Sequence, residues 1–120
     1  MAAVRYAETF AANLEAIQEL MLERDLDSAA QRFEDLLGEL DRAAKLVARH
    51  PGLGRPASFL DDSTPRLRAA RSGIEALLKR VGATELREYV LRQYLILYAV
   101  GHAEVTFLAI RAGRQSGYNL

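Results

Sequence analysis

The chain has no cysteine and no tryptophan, and only three prolines and two histidines in 120 residues. Without cysteine there are no disulfides, no thiolate nucleophile and no Cys-based zinc site. Neither charge is in excess: 16 Lys and Arg balance 16 Asp and Glu, for a formal net charge of zero. That balance argues against a protein held on nucleic acid mainly by bulk charge, because such domains are usually strongly basic. No apolar run approaches the ~20 residues needed to span a bilayer. The stretch Met1–Tyr6 has no cationic segment followed by an apolar one, so no signal peptide is read there. These absences predict a cytoplasmic protein with no membrane contact. Hydrophobic residues make up 50% of the chain, ordinary for a globular protein and too many for a disordered one. The length fits one domain spanning residues 1–120, burying roughly two thirds of its unfolded surface.

Helical periodicity dominates the first two thirds. At ~100° per residue, Phe10, Leu14, Ile17 and Met21 fall on one stripe, with Glu15, Glu19 and Glu23 opposite. This predicts a helix from Thr9, as N-cap, to about Asp25, preceded by a possible short strand over Ala3–Tyr6. A second helix starts near Asp27-Ser28, where Ser28 to Gln31 fits a capping box. Its apolar face is read as Phe33, Leu37, Leu40, Ala44 and Val47. It stops at His50-Pro51, since the residue before proline disfavours helix. So short a link makes the two helices an antiparallel hairpin. Pro51, Gly52, Gly54 and Pro56 mark a turn-rich connection, continued over Ser58–Ser63 as loop or short extended chain. Thr64-Pro65 then opens a third helix. Its apolar face is Leu67, Ala70, Ile74, Leu77, Leu78 and Val81, its polar face Arg68, Arg71, Glu75 and Lys79, and Gly82 its stop.

Beyond Gly82 the period shortens. Glu85–Leu91 alternates in part, Tyr94–Val100 is apolar throughout, and Val105–Ile110 is rich in β-branched and aromatic residues. Gly101-His102-Ala103 is a hairpin turn, and the tail Arg111–Leu120 reads as irregular. The fold class is α+β: an N-terminal helical hairpin and a third helix packed on a small antiparallel β-sheet.

Chemistry is sparse. His50 and His102 are not at a metal-ligand spacing and have no neighbouring carboxylate, and no nucleophile, phosphate-loop or metal motif is present. No cofactor and no metal are predicted. Charge placement says more. Residues 1–50 carry 6 basic and 10 acidic side chains, residues 63–120 carry 9 basic and 4 acidic ones. Two readings fit this polarity: compensation within the molecule, as where Glu75 meets Arg71 and Lys79 at i±4, or a basic sheet-side surface for an acidic partner. The strongest local cluster is Arg111, Arg114, Gln115 and Tyr118 after the last strand. With Arg87 and Arg92 on the adjacent strand, four guanidinium groups are expected along one end of the sheet. The alternative is a solvated tail with one arginine tied back to the acidic helices. Arginine's fork suits phosphate or carboxylate, but it is a poor proton acceptor, so the cluster binds rather than catalyses.

Three strings together resemble a known family. They are Phe10-Ala-Ala-Asn-Leu-Glu-Ala-Ile17, then His50-Pro-Gly-Leu-Gly-Arg-Pro56, then Leu86-Arg-Glu-Tyr-Val-Leu-Arg-Gln-Tyr-Leu-Ile-Leu-Tyr98 with Ile110-Arg-Ala-Gly-Arg-Gln115. In this order the chain resembles the RelE/ParE superfamily of type II toxins over nearly its whole length, most closely its ParE-like plasmid-stabilisation branch. The resemblance implies a bacterial toxin neutralised by a cognate antitoxin that wraps its helices and sheet. ParE-like members poison DNA gyrase without being enzymes, whereas RelE-like members cleave mRNA on the ribosome. The final-strand pattern of the branch often reads Ile-Arg-His-x-Arg-Gln. Arg111, Arg114 and Gln115 match it, while Ala112 replaces the histidine and removes an imidazole that serves nucleolysis in relatives. Residues 58–82, carrying the third helix, are an insert by comparison with compact relatives. The reading is therefore a non-enzymatic gyrase inhibitor binding through Arg87, Arg92, Arg111, Arg114, Gln115 and Tyr118. The alternatives are a ribosome-dependent mRNA endonuclease and an antitoxin-binding relative without toxicity.

Overall fold

A computed structural model describes residues 1–57, 65–114 and 118. Its elements run β1 (Ala3–Tyr6), α1 (Glu8–Arg24), α2 (Leu26–Arg49), β2 (Arg55–Pro56), α3 (Pro65–Arg80), β3 (Ala83–Val90), β4 (Tyr94–Gly101) and β5 (Glu104–Ala112). The α+β class holds, but the sheet is larger than expected and mixed. It has five strands in the order β1-β5-β4-β3-β2. The last three elements form the antiparallel meander, while β1 pairs parallel to β5, Ala3 opposite Glu104. β2, which the turn residues concealed, is a two-residue edge strand antiparallel to β3. Pro56 is tolerated there because an edge strand has one ladder side to leave unpaired.

Asp25 alone separates α1 from α2. The Ser28 hydroxyl donates to the Asp25 carboxylate at 2.7 Å, and this bond holds the Asp25 pKa below its usual value. Ser28 and Gln31 therefore form no capping box: Asp25 is the N-cap, and Gln31 donates to Asp35 one turn on. Thr9 does not cap α1 either. Ala7 does, and the Thr9 hydroxyl instead donates across to the Leu108 carbonyl of β5.

Two cores flank the sheet. The larger lies under the hairpin, where Phe10, Met21, Leu36, Leu40 and Val47 meet Ile96, Tyr98, Val105, Phe107 and Ile110. The expected stripe on α1 is there, with Leu14 and Ile17 packed against this core. On α2 the face is centred one residue away from the expectation. Leu36 is buried and Leu37 is 43% exposed, because Ala29, Leu36, Leu40, Ala43 and Val47 keep the heptad-like step that Leu37 leaves. The smaller core joins Leu77, Leu78 and Val81 of α3 to Leu86, Leu97, Ala99, Leu108 and Ala109. Central β4 thus has both faces covered, as its unbroken apolar run requires. The expectations for Ser58–Ser63, Thr64, and the side chains of Leu67, Arg68, Ala70, Arg71 and Ile74 lie outside the described residues. Gly82 leaves α3 at φ +69°, a left-handed position that glycine takes without penalty.

A β-bulge decides where the last strand points. Leu97 pairs with Ala109 but Tyr98 pairs with Phe107, so Leu108 is an extra residue. Leu108 and Ala109 consequently face the same core, and every side chain beyond them is turned to the opposite face from strict alternation. Two α1 side chains one turn apart satisfy the disturbed backbone: Thr9 on the Leu108 carbonyl, and Asn13 Oδ1 accepting from the Ile110 amide at 3.2 Å.

Candidate functional site

The four guanidinium groups do not line one end of the sheet. Arg87 lies opposite Tyr98, on the hairpin side. Its guanidinium donates to Glu85 at 2.6 Å and to the Gly54 carbonyl, so it is spent on fastening the His50–Pro56 loop. Tyr98 completes that anchor from the core, accepting from the Gly54 amide and donating to the Pro51 carbonyl, both at 2.8 Å. Burial raises the Tyr98 pKa. Arg92 sits in the exposed turn between β3 and β4. Gln115 lies outside the described residues.

Arg111, turned by the bulge, belongs to the other face. Its guanidinium lies 5.0 Å from the centre of the Tyr118 ring. The Tyr118 hydroxyl donates to Glu88 Oε2 at 2.6 Å. Arg55, opposite Glu88 across the β2–β3 pair, stands 3.8 Å from the other carboxylate oxygen. The tail is therefore not irregular throughout. β5 continues to Ala112, a turn follows at Gly113-Arg114, and Tyr118 returns onto the sheet. Glu88 is 3% exposed, a buried carboxylate paired and hydrogen-bonded as burial demands. Burial, and then Glu88, push the Tyr118 pKa well above its ordinary value, so this hydroxyl stays a donor. Sequence reasoning passed over Glu88, although a signal existed: it stands in phase with Leu86, the inward set of an alternating strand.

Arg114 goes a third way. It borders a cleft of about 550 Å³ between the hairpin and the end of β5. The floor is Ile17, Met21, Tyr94 and Ile110; Leu20, Arg24, Arg32, Asn13 and Gln93 complete the wall. Arg24 and Arg32 come from the end of α1 and the start of α2, and the single-residue link brings them to one place. Nothing in their spacing along the chain signals this. Burial raises the Tyr94 pKa, while nearby Arg32 pulls the other way. Among the described residues no group of His, Asp and Glu converges as a metal site would, and no helix is long and apolar enough to cross a membrane.

A family model for the ParE toxin of type II toxin–antitoxin systems, parDE, matches residues 4–117. The chain belongs to the ParE toxin family. Among solved structures it is similar to the chromosomal ParDE toxin–antitoxin system from P. aeruginosa, with a TM-score of 0.58 and 14% identity, over 93% of this chain and 96% of that one. At that identity the likeness is one of fold. No curated protein matches the chain in sequence. The ParE family assignment agrees with the strings in α1, in the His50–Pro56 loop and along β3–β5. Two of those strings have structural work: Asn13 holds the bulge, and Gly54 is the point to which both Tyr98 and Arg87 are tied.

Proposed function

We propose that this ParE-family toxin acts by binding DNA gyrase, not by cleaving a substrate, and that a cognate antitoxin holds it silent. One observation supports the binding mode. Glu88, a carboxylate of β3 able to move a proton, is buried and accepts the hydrogen bond of the half-buried Tyr118 hydroxyl. The exposed basic groups, Arg92 and Arg114, are arginines, which remain protonated throughout the accessible range and are poor proton acceptors. The target surface is accordingly Arg92 and Arg114 with the tail that carries Gln115. Arg87 and Arg111 serve it by holding the loop and Tyr118 in place. Purified protein is expected to inhibit supercoiling by gyrase at micromolar concentration, with Arg92→Ala and Arg114→Ala each weakening inhibition without loss of helix content by circular dichroism. Unimpaired supercoiling at that concentration rejects the proposal.

A second reading rests on the same cluster seen differently. Glu88, Tyr118 and Arg111 would form a base, a donor and an anion-stabilising group if Tyr118 swung away. This is the set that cleavage of RNA through its 2′-hydroxyl calls for. Codon-specific breaks in mRNA after induction, abolished by Glu88→Gln, would establish it in place of the first.

A further inference from the structure

We propose that the His50–Pro56 loop and the last two turns of α2 form a recognition patch for a protein surface that carries an apolar socket bordered by carboxylates. This rests on the target-binding reading above and assigns the target a second point of contact, apart from Arg92 and Arg114. The loop is held at nearly every residue. The Leu53 amide donates to the His50 carbonyl at 2.9 Å, Tyr98 serves both Pro51 and Gly54, Arg87 donates to the Gly54 carbonyl, and Arg55 and Pro56 pair with β3. Gly54 and Ala57 are buried, yet Leu53, in the midst of these ties, is 47% exposed. A single exposed leucine is ordinary, but this one has a second close by along the chain. Leu46 is 44% exposed, and its carbonyl accepts from the His50 amide at 2.9 Å. One hydrogen-bonded turn thus links Leu46 to His50, and the next links His50 to Leu53. Fixing the loop beforehand removes the ordering cost that a free loop brings to an interface.

Charge changes sign at the same place. Asp41 is the last acidic side chain of α2, and from Arg42 to Ala57 there are four basic side chains and no acidic one. Arg42, Leu46 and Arg49 step by four and three, so they share one outer face of the helix, and all three are exposed. Lys45 is paired with Asp41 at 2.9 Å, whereas Arg42 and Arg49 enter no ion pair among the described residues. Arg49, in the last turn, also suits the negative end of the helix dipole, but that effect is spent within a turn and does not reach Arg42. Arg55 carries the basic side onward past the loop, its side chain exposed although it stands 3.8 Å from Glu88. A nucleic-acid backbone would use the arginines and leave both leucines against water, and the chain as a whole has no excess positive charge to attract it. A protein surface with carboxylates around an apolar socket uses both. The leucines and the arginine stems supply contact area, and the guanidinium heads select and steer the partner.

The test uses the full chain in two readouts: inhibition of supercoiling by purified gyrase, and growth arrest on expression in bacterial cells, with and without the product of the reading frame beside the gene. Leu53→Glu, and separately Arg42→Glu with Arg49→Glu, should each raise the concentration for half-inhibition at least about tenfold and relieve growth arrest. Leu22→Glu, at a comparably exposed leucine of α1, should change neither. Circular dichroism checks folding, and Leu53→Ser or Arg42→Gln with Arg49→Gln replaces a variant that unfolds. Inhibition and arrest equal to wild type in the loop and arginine variants overturn the proposal. So does a loop variant that stays fully toxic but escapes the neighbouring gene product, because the patch then faces the antitoxin. Retention of a DNA duplex by wild type that the arginine pair abolishes overturns it as well. Wild type that arrests growth yet leaves supercoiling untouched removes the gyrase reading alone, and growth arrest in the same variants then decides the patch. Wild type that does neither removes both.

Discussion

Tyr98 shows how much one hydroxyl can organise. Its ring is wholly buried, and its oxygen serves both the Gly54 amide and the Pro51 carbonyl. Tyr98→Phe would leave both backbone groups without this partner, at a cost of about 2–3 kcal/mol, read as a lower urea midpoint with an unchanged slope. Gly54 is the complementary case. A Cβ there would sit 2.7 Å from the Tyr98 hydroxyl and closer still to the Glu88 carbonyl, so the loop must lift off the sheet. Gly54→Ala should cost about 1–3 kcal/mol and raise the proteolytic sensitivity of residues 50–57. Tyr118→Phe removes a donor from buried Glu88 and should cost about 1–3 kcal/mol. Because the folded Tyr118 pKa lies above the unfolded value of about 10, its contribution is complete below pH 10. It is lost as the pH rises further, when the unfolded state gives up the proton first. In wild type Tyr118 should ionise only as the protein unfolds in alkali, and the absorbance change near 295 nm that accompanies unfolding should be smaller by one tyrosine in Tyr118→Phe.

Among the elements, the partnership of α1 with β5 matters most. Thr9 and Asn13 are neighbours on one helical face and meet the two backbone groups that the bulge disturbs. Thr9→Val and Asn13→Ala should each cost about 1 kcal/mol. The double variant should lose less than the sum if the bulge relaxes into regular pairing, a coupling that a double-mutant cycle measures. Relaxation would also turn Arg111 to the hairpin side and unstack it from Tyr118, with a gain in Tyr118 exposure as its signature. These details mark the limit of what the sequence discloses. Helices, the hairpin and the three-strand meander were legible because their apolar periods are long and regular. The bulge was not, because Leu108 and Ala109 are both apolar and either phase satisfies the pattern. That one slip separated Arg111 from Arg87, two residues that linear reasoning had placed together. β2 escaped notice because two residues, one of them a proline, carry no period, and β1's parallel pairing because nothing local records a partner at the far side of the chain.

At the scale of the molecule, charge is sorted by fold as well as by sequence. The acidic stripe of Glu15, Glu19 and Glu23 and the basic cleft share α1, so the zero net charge conceals surfaces of opposite sign a helix diameter apart. Inhibition of the proposed target should therefore weaken with salt, while thermal stability, which depends on the two apolar cores, should change little between about 0.05 and 0.5 M. Inhibition that does not change with salt would show that the exposed arginines do not carry it. The candidate site was legible only as an inventory. The arginines were named from sequence, but whether they bind, brace or stack is set by three different faces of the fold.

The pairing of β1 with β5 has a bearing on when in synthesis the fold can close. A ribosome makes the first of these strands long before the second, so through most of synthesis the opening segment has nowhere to dock, and Ile110 and Arg114 are not yet there to finish the groove. Sheet edge and cleft thus ripen together, late in the making of the polypeptide, and an unfinished copy possesses neither.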